Sequence, residues 1–197
     1  MSWTEQIYTP TGFTKKNILN GKRAVDLGCG VRKLPGATGI DSLKLPAVDI
    51  VHNLDTFPWP LKDKEFDLVF ANHFLEHSTD FIRALGEIHR ILKPGGRFVL
   101  QVPYFRAVDA FSDVTHKHFF TSHSLDYVIE GTRVFNEYAY APYRFRKVGF
   151  WYAWPHPSKN PLANLFKRFI HRHPDFYDQY LSLVLPLECV TWELEAL

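Results

Sequence analysis

The stretch Val25-Asp26-Leu27-Gly28-Cys29-Gly30 constrains this chain more than any other. Apolar residues run into an acid and then into Gly-x-Gly, the way a buried parallel strand ends and a tight turn begins. A turn this poor in side chains lets a ligand lie directly against backbone. Such turns serve dinucleotides, nucleotides and other adenosine ligands, or simply connect a strand to a loop. The dinucleotide version needs a third glycine opening a helix, and Lys33 stands there instead. The P-loop version needs Gly-Lys-Ser/Thr, which is absent. Taken alone, the motif leaves the remaining ligands and the plain turn open.

The residues around it narrow the choice. Arg23 to Leu27, Thr38 to Asp41, Val48 to Val51, Phe66 to Ala71 and Arg97 to Val102 read as strands. The fourth, FDLVFA, is apolar enough to be buried on both faces. Ser78 or Thr79 is placed to cap a helix running to Leu92, with Phe81, Ile82, Leu85, Ile88, Ile91 and Leu92 on its apolar stripe. Lys93-Pro94-Gly95-Gly96 stops that helix. Strands alternating with helices imply a parallel α/β sheet. Asp41, Asn53, Leu54, Asn72 and His73 then follow strands at their carboxyl ends, where open sheets of this kind bind ligands. A carboxylate at Asp41 offers two acceptor oxygens to a vicinal diol such as a ribose.

The segment from Ala24 to Pro103 resembles a class I S-adenosylmethionine-dependent methyltransferase of the type 11-like group. The resemblance rests on VDLGCG, on GID at 39–41, on NLDTFPWPLKDKEFDLVFANHFLEH at 53–77 and on EIHRILKPGGRFVLQVP at 87–103. It implies an α/β, Rossmann-like, seven-stranded and mostly parallel sheet of order 3-2-1-4-5-7-6, its last strand antiparallel, with helices on both faces. It also implies S-adenosyl-L-methionine as cofactor. By position, Asp26, Gly28, Cys29 and Gly30 flank the methionine part, and Asp41 and Ser42 lie at the ribose. Asn53 and Leu54 face the adenine, and Ala71, Asn72 and His73 meet the methionyl ammonium. Two departures stand out. Asn53 replaces the more usual acid, and Val31-Arg32-Lys33-Leu34-Pro35-Gly36 replaces a glycine-rich continuation and a long first helix. That rebuilt loop places Arg32 and Lys33 near the cofactor carboxylate or an anionic substrate.

Histidines supply the candidate chemistry. His73-Phe74-Leu75-Glu76-His77 matches H-x-x-E-H, the inverted zinc-protease motif, so a zinc hydrolase using His73, Glu76 and His77 is a lesser alternative. A cofactor-binding scaffold without catalysis is another. The stretch Asp113-Val114-Thr115-His116-Lys117-His118-Phe119-Phe120 resembles the D-x-T-H-x-x-F-F loop of a subset of these methyltransferases, many tied to glycan or small-metabolite modification. Asp113, His118 and Tyr104 are candidate substrate contacts. His116 is the first candidate base and His77 the second, since methyl transfer to a hydroxyl needs in-line positioning and a base near neutral pH. The same histidines equally suit a role in fixing the loop through backbone hydrogen bonds. The pattern does not require a metal.

The length of 197 residues suits one domain: a leading helix within 1–21, a cofactor-binding half at 22–103, and a substrate loop, aromatic cap and last two strands at 104–197. Ser122 to Ile129 reads as a short helix, Arg144 to Trp154 and Glu188 to Leu194 as strands. Residues 160–184 carry helical periodicity interrupted by Pro174, with Leu162, Leu165, Phe166, Phe169 and Ile170 on one face. Opposite them lies a basic face, which suggests peripheral membrane contact or a homodimer through 160–173. A net charge of +2 argues against bulk nucleic-acid binding. Two cysteines far apart, with no leader pattern and no long apolar run, point to the cytoplasm. The expected acceptor is a small-molecule or glycan hydroxyl or amine.

Overall fold

The computed structural model describes Leu19 and residues 21–138, 140–153 and 160–197. The expected leading helix lies outside them, apart from Leu19 and Gly21. Seven strands form one sheet of order β3-β2-β1-β4-β5-β7-β6. They are β1 (Ala24–Leu27), β2 (Thr38–Asp41), β3 (Ile50–Val51), β4 (Phe66–Asn72), β5 (Leu92–Pro103), β6 (Phe145–Tyr152) and β7 (Cys189–Ala196). β1 to β5 pair in parallel, and β7 runs antiparallel between β5 and β6. This is the expected order and direction.

Alternation along the strands divides the core. Val25, Leu27, Val69, Ala71, Phe98 and Leu100 point to one face and join the large cluster. Ala24, Leu68, Phe70 and Val99 point to the other, under Leu34 and Ala37. Helix α1 (Phe81–Ile91) covers the first face through Ala84, Leu85, Ile88 and Ile91. Each of its larger side chains contributes about 1.5–3 kcal/mol by leaving water. The cap is Asp80, whose carboxylate accepts from the Arg83 amide, and not Ser78 or Thr79. Thr79 instead donates its amide and hydroxyl to Asp55. The Lys-Pro-Gly-Gly stretch ends α1 as expected but belongs to β5, where the pairing with β4 shifts register.

The second half departs more. Ser122–Ile129 holds only a single 3-10 turn, Asp126–Val128, after a short helix α2 (Asp109–Ser112). Helix α3 (Arg133–Tyr138) follows. The periodic tail splits into α4 (Pro161–Arg172) and α5 (Pro174–Gln179), the break falling at Pro174 as expected. Asn160 caps α4 by accepting from the Leu162 amide, and Pro161 opens it. Of the expected α4 stripe only Ile170 is buried, while Leu162 is 73% and Leu165 64% exposed.

These helices are tied to the sheet through Asp178. One carboxylate oxygen accepts from the Tyr104 hydroxyl at 2.8 Å and the Tyr152 hydroxyl at 2.6 Å. The other accepts from the amide and hydroxyl of Ser122 at 3.0 and 2.8 Å. Tyr104, Tyr152 and Tyr177 pack around that point with ring centroids 4.5–5.9 Å apart. Among the described late aromatics, Tyr104, Phe120, Phe145, Tyr152, Tyr177 and Trp192 are core, whereas eight others, Phe111 and Phe169 among them, remain exposed.

Candidate active site

β1 has β2 on one side and β4 on the other, so the connections leaving Leu27 and Asn72 diverge. A crevice opens between them at the carboxyl ends of the strands, as it must where strand order reverses. Three lobes meet there, and all three are lined by His73.

The glycine turn forms the floor. Gly28 has φ +65°, and a Cβ added to it would lie 2.9 Å from the Cβ of Phe74. Its bareness therefore serves Phe74 as well as any ligand. Gly30, at φ +50°, opens onto free space. The amides of Gly28 and Cys29 both donate to the Ile40 carbonyl. Burial pushes the Cys29 thiol up to about 11, so it stays protonated and is no nucleophile at neutral pH.

Two acids flank this floor. Asp41 accepts from the Gly30 amide with one oxygen and from the Leu43 amide with the other, both at 2.9 Å. Each oxygen keeps a second lone pair for a hydroxyl. Asp26 is 2% exposed on the thin face of the sheet and accepts from the Leu34 amide at 2.6 Å. Burial raises its carboxyl to about 7, against the opposing pull of the Leu34 amide and Lys33. Beside it, the side-chain oxygen of Asn72 is buried without a hydrogen-bond partner. A buried acid held partly protonated and an orphaned acceptor both suit an incoming cation.

The rebuilt loop divides its two cations. Arg32 lines the same lobe, of ≈ 360 Å³, as Asp26 and Asn72. Lys33 turns to Asp49 at 2.7 Å instead, so its expected place beside a ligand is corrected. A Cβ at Gly39 would meet the Lys33 side chain at 2.5 Å, which shows how closely that chain lies along β2.

The neighbouring lobe, of ≈ 260 Å³, is bounded by Asp41 and Ser42 on one side and by Asn53, Leu54, Asp55 and Phe74 on the other. Asn53 closes its own turn, its amide oxygen accepting from the Asp55 amide at 3.0 Å. Leu54 and Phe74 supply apolar walls suited to a flat ring. An acid with lone pairs free for a diol, an apolar slot and a buried pocket lined by an acid and an orphaned acceptor fit S-adenosyl-L-methionine, which combines an adenosine, an ammonium, a sulfonium and a carboxylate.

The third lobe holds the histidines. His77 and His116 meet edge to face, ring centroids 4.7 Å apart. Glu76 lies between them and His73, fully buried, with neither carboxylate oxygen hydrogen-bonded. The His73 Nδ1 approaches it at 3.2 Å. His73 has φ +53°, uncommon for a residue with a Cβ and frequent at functional sites. Leu75–His77 is a 3-10 turn, so H-x-x-E-H does not sit on one α-helix and the zinc-protease geometry is not formed. Asp113 borders the lobe, exposed, its carboxyl held below the usual range by hydrogen bonds from Thr115.

Other candidates fall elsewhere. Tyr104 is fully buried and donates to Asp178, so it is not available to a substrate. His118 bonds the Ser78 carbonyl through Nε2 at 2.8 Å and packs on Phe81. Ala71 is buried inside β4, one residue short of the lobes. Asp55, Phe74, Ser78 and Thr115 are site residues that the sequence reading passed over. Phe74 had a signal, since it lies two residues past the end of β4.

The sheet order and the crevice define a class I methyltransferase fold. Residues 25–100 match the family model described as "Methyltransferase domain". Among curated proteins the chain is 30% identical over 106 residues to a demethylmenaquinone methyltransferase of Staphylococcus epidermidis, covering 42% of this chain and 44% of that protein. It is 32% identical over 103 residues to a ubiquinone biosynthesis O-methyltransferase of a Bradyrhizobium species, covering 43% and 41%. The chain spans less than half the length of the curated relatives it matches. The fold resembles that of a SAM-dependent methyltransferase from Archaeoglobus fulgidus, with TM-score 0.54 and 14% identity over 88% of this chain and 86% of that one. A possible histamine N-methyltransferase from Thermotoga maritima gives TM-score 0.53 and 18% identity over 91% and 84%.

Proposed function

We propose that the chain is an S-adenosylmethionine-dependent methyltransferase acting on a hydroxyl of a small apolar molecule. The observation that carries this is the meeting of three lobes at His73. Asp41 would take the ribose hydroxyls, Leu54 and Phe74 would line the adenine, Asp26 and Asn72 would take the ammonium, and Arg32 the carboxylate. The cofactor supplies an electrophilic methyl group on a sulfonium. The third lobe then receives the acceptor. Its walls carry Glu76, His77 and His116, groups that orient a hydroxyl and take part in removing its proton.

Exposed apolar side chains on the segment that carries Asp109, Ser112, Asp113 and His116 support an apolar acceptor. Phe111 and Phe119 stack with centroids 4.7 Å apart while remaining 64% and 47% exposed. Val108 and Val114 are exposed beside them in sequence. Two relatives are named for quinone pathways, which are apolar acceptors of this kind. The test is transfer of labelled methyl groups from the cofactor into metabolite and lipid extracts. Labelled product that disappears in His116→Ala supports the reading. Cofactor binding with no transfer to any extract favours a non-catalytic binding protein.

The open face of α4 fits the same picture. Leu162, Leu165 and Phe169 are exposed on a helix that also carries Lys167, Arg168 and Arg172. This face rests on an anionic bilayer where apolar acceptors partition. Co-sedimentation with anionic vesicles, lost in Leu165→Glu, tests it, and a concentration-dependent dimer without vesicle binding would contradict it.

A further inference from the structure

The acceptor lobe carries a set of ligand atoms that hydrogen bonding leaves unused. Glu76 is the clearest. Its side chain is 1% exposed, it faces the lobe, and both its oxygens lack a hydrogen bond. Its nearest basic neighbour is the His73 Nδ1 at 3.2 Å, outside hydrogen-bond geometry, and a buried carboxylate left without a hydrogen bond is costly and calls for a cation. Arginine and lysine do not supply one, since the lobe is lined by His73, His77, His116, Asp109 and Asp113 as its other ionisable groups.

The two histidines are oriented for the same purpose. The Nδ1 of His116 lies 3.0 Å from the Ala110 carbonyl. A carbonyl only accepts, so Nδ1 carries the hydrogen and Nε2 keeps a lone pair. The nearest carboxylate to that Nε2, Asp113, is 3.9 Å away, beyond hydrogen-bond reach. The Nδ1 of His77 lies 2.8 Å from the Thr115 hydroxyl. That hydroxyl donates to Asp113 at 2.6 Å, so it accepts from His77, whose Nε2 is also left with a lone pair. Each imidazole is thus anchored through Nδ1, one on a carbonyl and one on a hydroxyl backed by a carboxylate. This is the outer-shell pattern that fixes metal-binding histidines. Ligand atoms of Glu76, His77 and His116 lie within 4.8 Å of one another.

We propose that Glu76, His77 and His116 bind one divalent transition-metal ion at the acceptor lobe. Two imidazoles and a carboxylate leave coordination positions open and suit iron, manganese, cobalt or zinc over magnesium or calcium. The acceptor oxygen completes the coordination. The metal lowers the pKa of the hydroxyl, whose O–H bond breaks with its proton leaving to solvent at the open rim. An O–CH3 bond forms as the S–CH3 bond of the sulfonium breaks, leaving a neutral thioether. The ion binding itself is independent of the methyltransferase reading, and only this last role rests on it.

The experiment uses the full chain treated with a chelator and titrated with Zn(II), Co(II) and Mg(II) by calorimetry, with visible absorption for cobalt. One equivalent of Zn(II) and Co(II) is expected, with cobalt ligand-field bands. Binding is lost in Glu76→Gln, His77→Ala and His116→Ala. It weakens by about 10–100-fold in Thr115→Val, which keeps all three ligands and loses the anchor of His77 together with that hydroxyl's bond to Asp113. His89→Ala, on α1, changes nothing. Circular dichroism and titration with S-adenosylhomocysteine show that the Glu76→Gln protein is folded and holds the cofactor, so a failed metal site is distinguishable from a failed methyltransferase reading. Absent binding by wild type, binding of Mg(II) alone, or undiminished binding in the two histidine variants overturns the proposal. Methyl transfer by chelated protein at the full rate overturns the role.

Discussion

The carboxylate of Asp41 accepts from the Gly30 amide at 2.9 Å, joining the end of the second strand to the turn that ends the first. This bond makes the glycine turn and the acid proposed to take the ribose one unit. It also holds the turn in shape without a third glycine. The backbone is held by Asp41 and by the Ile40 carbonyl, not by the start of a long helix. The cofactor account predicts how several residues around that unit behave.

Asp26 gives a pH signature. Its carboxyl is raised from 3.8 to about 7 by burial. For a raised group, its stabilising contribution is complete below the unfolded value and disappears as pH rises through the folded one. Wild type should therefore lose stability relative to Asp26→Asn between about pH 4 and 7. Melting temperatures of the two proteins from pH 5 to 8.5 check this, and the gap should widen in favour of the variant. A gap that stays constant would show that Asp26 does not titrate there. Binding of the cationic cofactor should correspondingly release a proton near pH 7, measurable as a buffer-dependent heat.

Gly28 and Gly30 separate packing from backbone strain. Both have positive φ, which costs a residue with a Cβ about 1–2 kcal/mol. Only Gly28 adds a collision, with Phe74. Gly28→Ala should lose about 2–4 kcal/mol in urea unfolding and Gly30→Ala about 1–2. Equal losses would mean that Phe74 yields freely.

Arg32 is assigned to the cofactor carboxylate. Arg32→Ala should weaken S-adenosylhomocysteine by about tenfold or more, the value of one charge-assisted hydrogen bond. Methylthioadenosine, which lacks that carboxylate, should bind wild type and variant alike. Equal weakening of both ligands would place Arg32 elsewhere.

Asp178 holds the second half of the chain. Its removal leaves the hydroxyls of Tyr104 and Tyr152 and the amide of Ser122 without their acceptor. Asp178→Ala should cost about 3–5 kcal/mol in urea unfolding. A loss under about 1 kcal/mol, the value of a surface change, would show that the network is not a fastening.

The first half was legible because its signals are local. Strands buried on both faces are apolar runs, and β2 and β4 end at Asp41 and Asn72, polar residues at the crevice edge. The second half depends on distant partners. Ser122 to Ile129 looks helical, yet Ser122 is drawn to Asp178, and the turns after it close over three residues. Thr79 looks like a cap, yet Asp55 claims it. The α4 stripe showed an amphipathic helix but not whether its apolar face meets this chain or something else. In the site, His77 and His116 were legible as chemistry. Their anchoring by Thr115 and Ala110, and the isolation of Glu76, exist only once the loop folds over the turn after β4.

The most direct test of the account is calorimetric titration of the chain with S-adenosylhomocysteine, for wild type and Asp41→Asn. The account predicts one site in wild type and an affinity lower by about 10–100-fold in the variant, because a charge-assisted pair of ribose bonds is worth about 1.5–3 kcal/mol. Absence of binding in wild type, or equal binding by a folded Asp41→Asn protein, would contradict it.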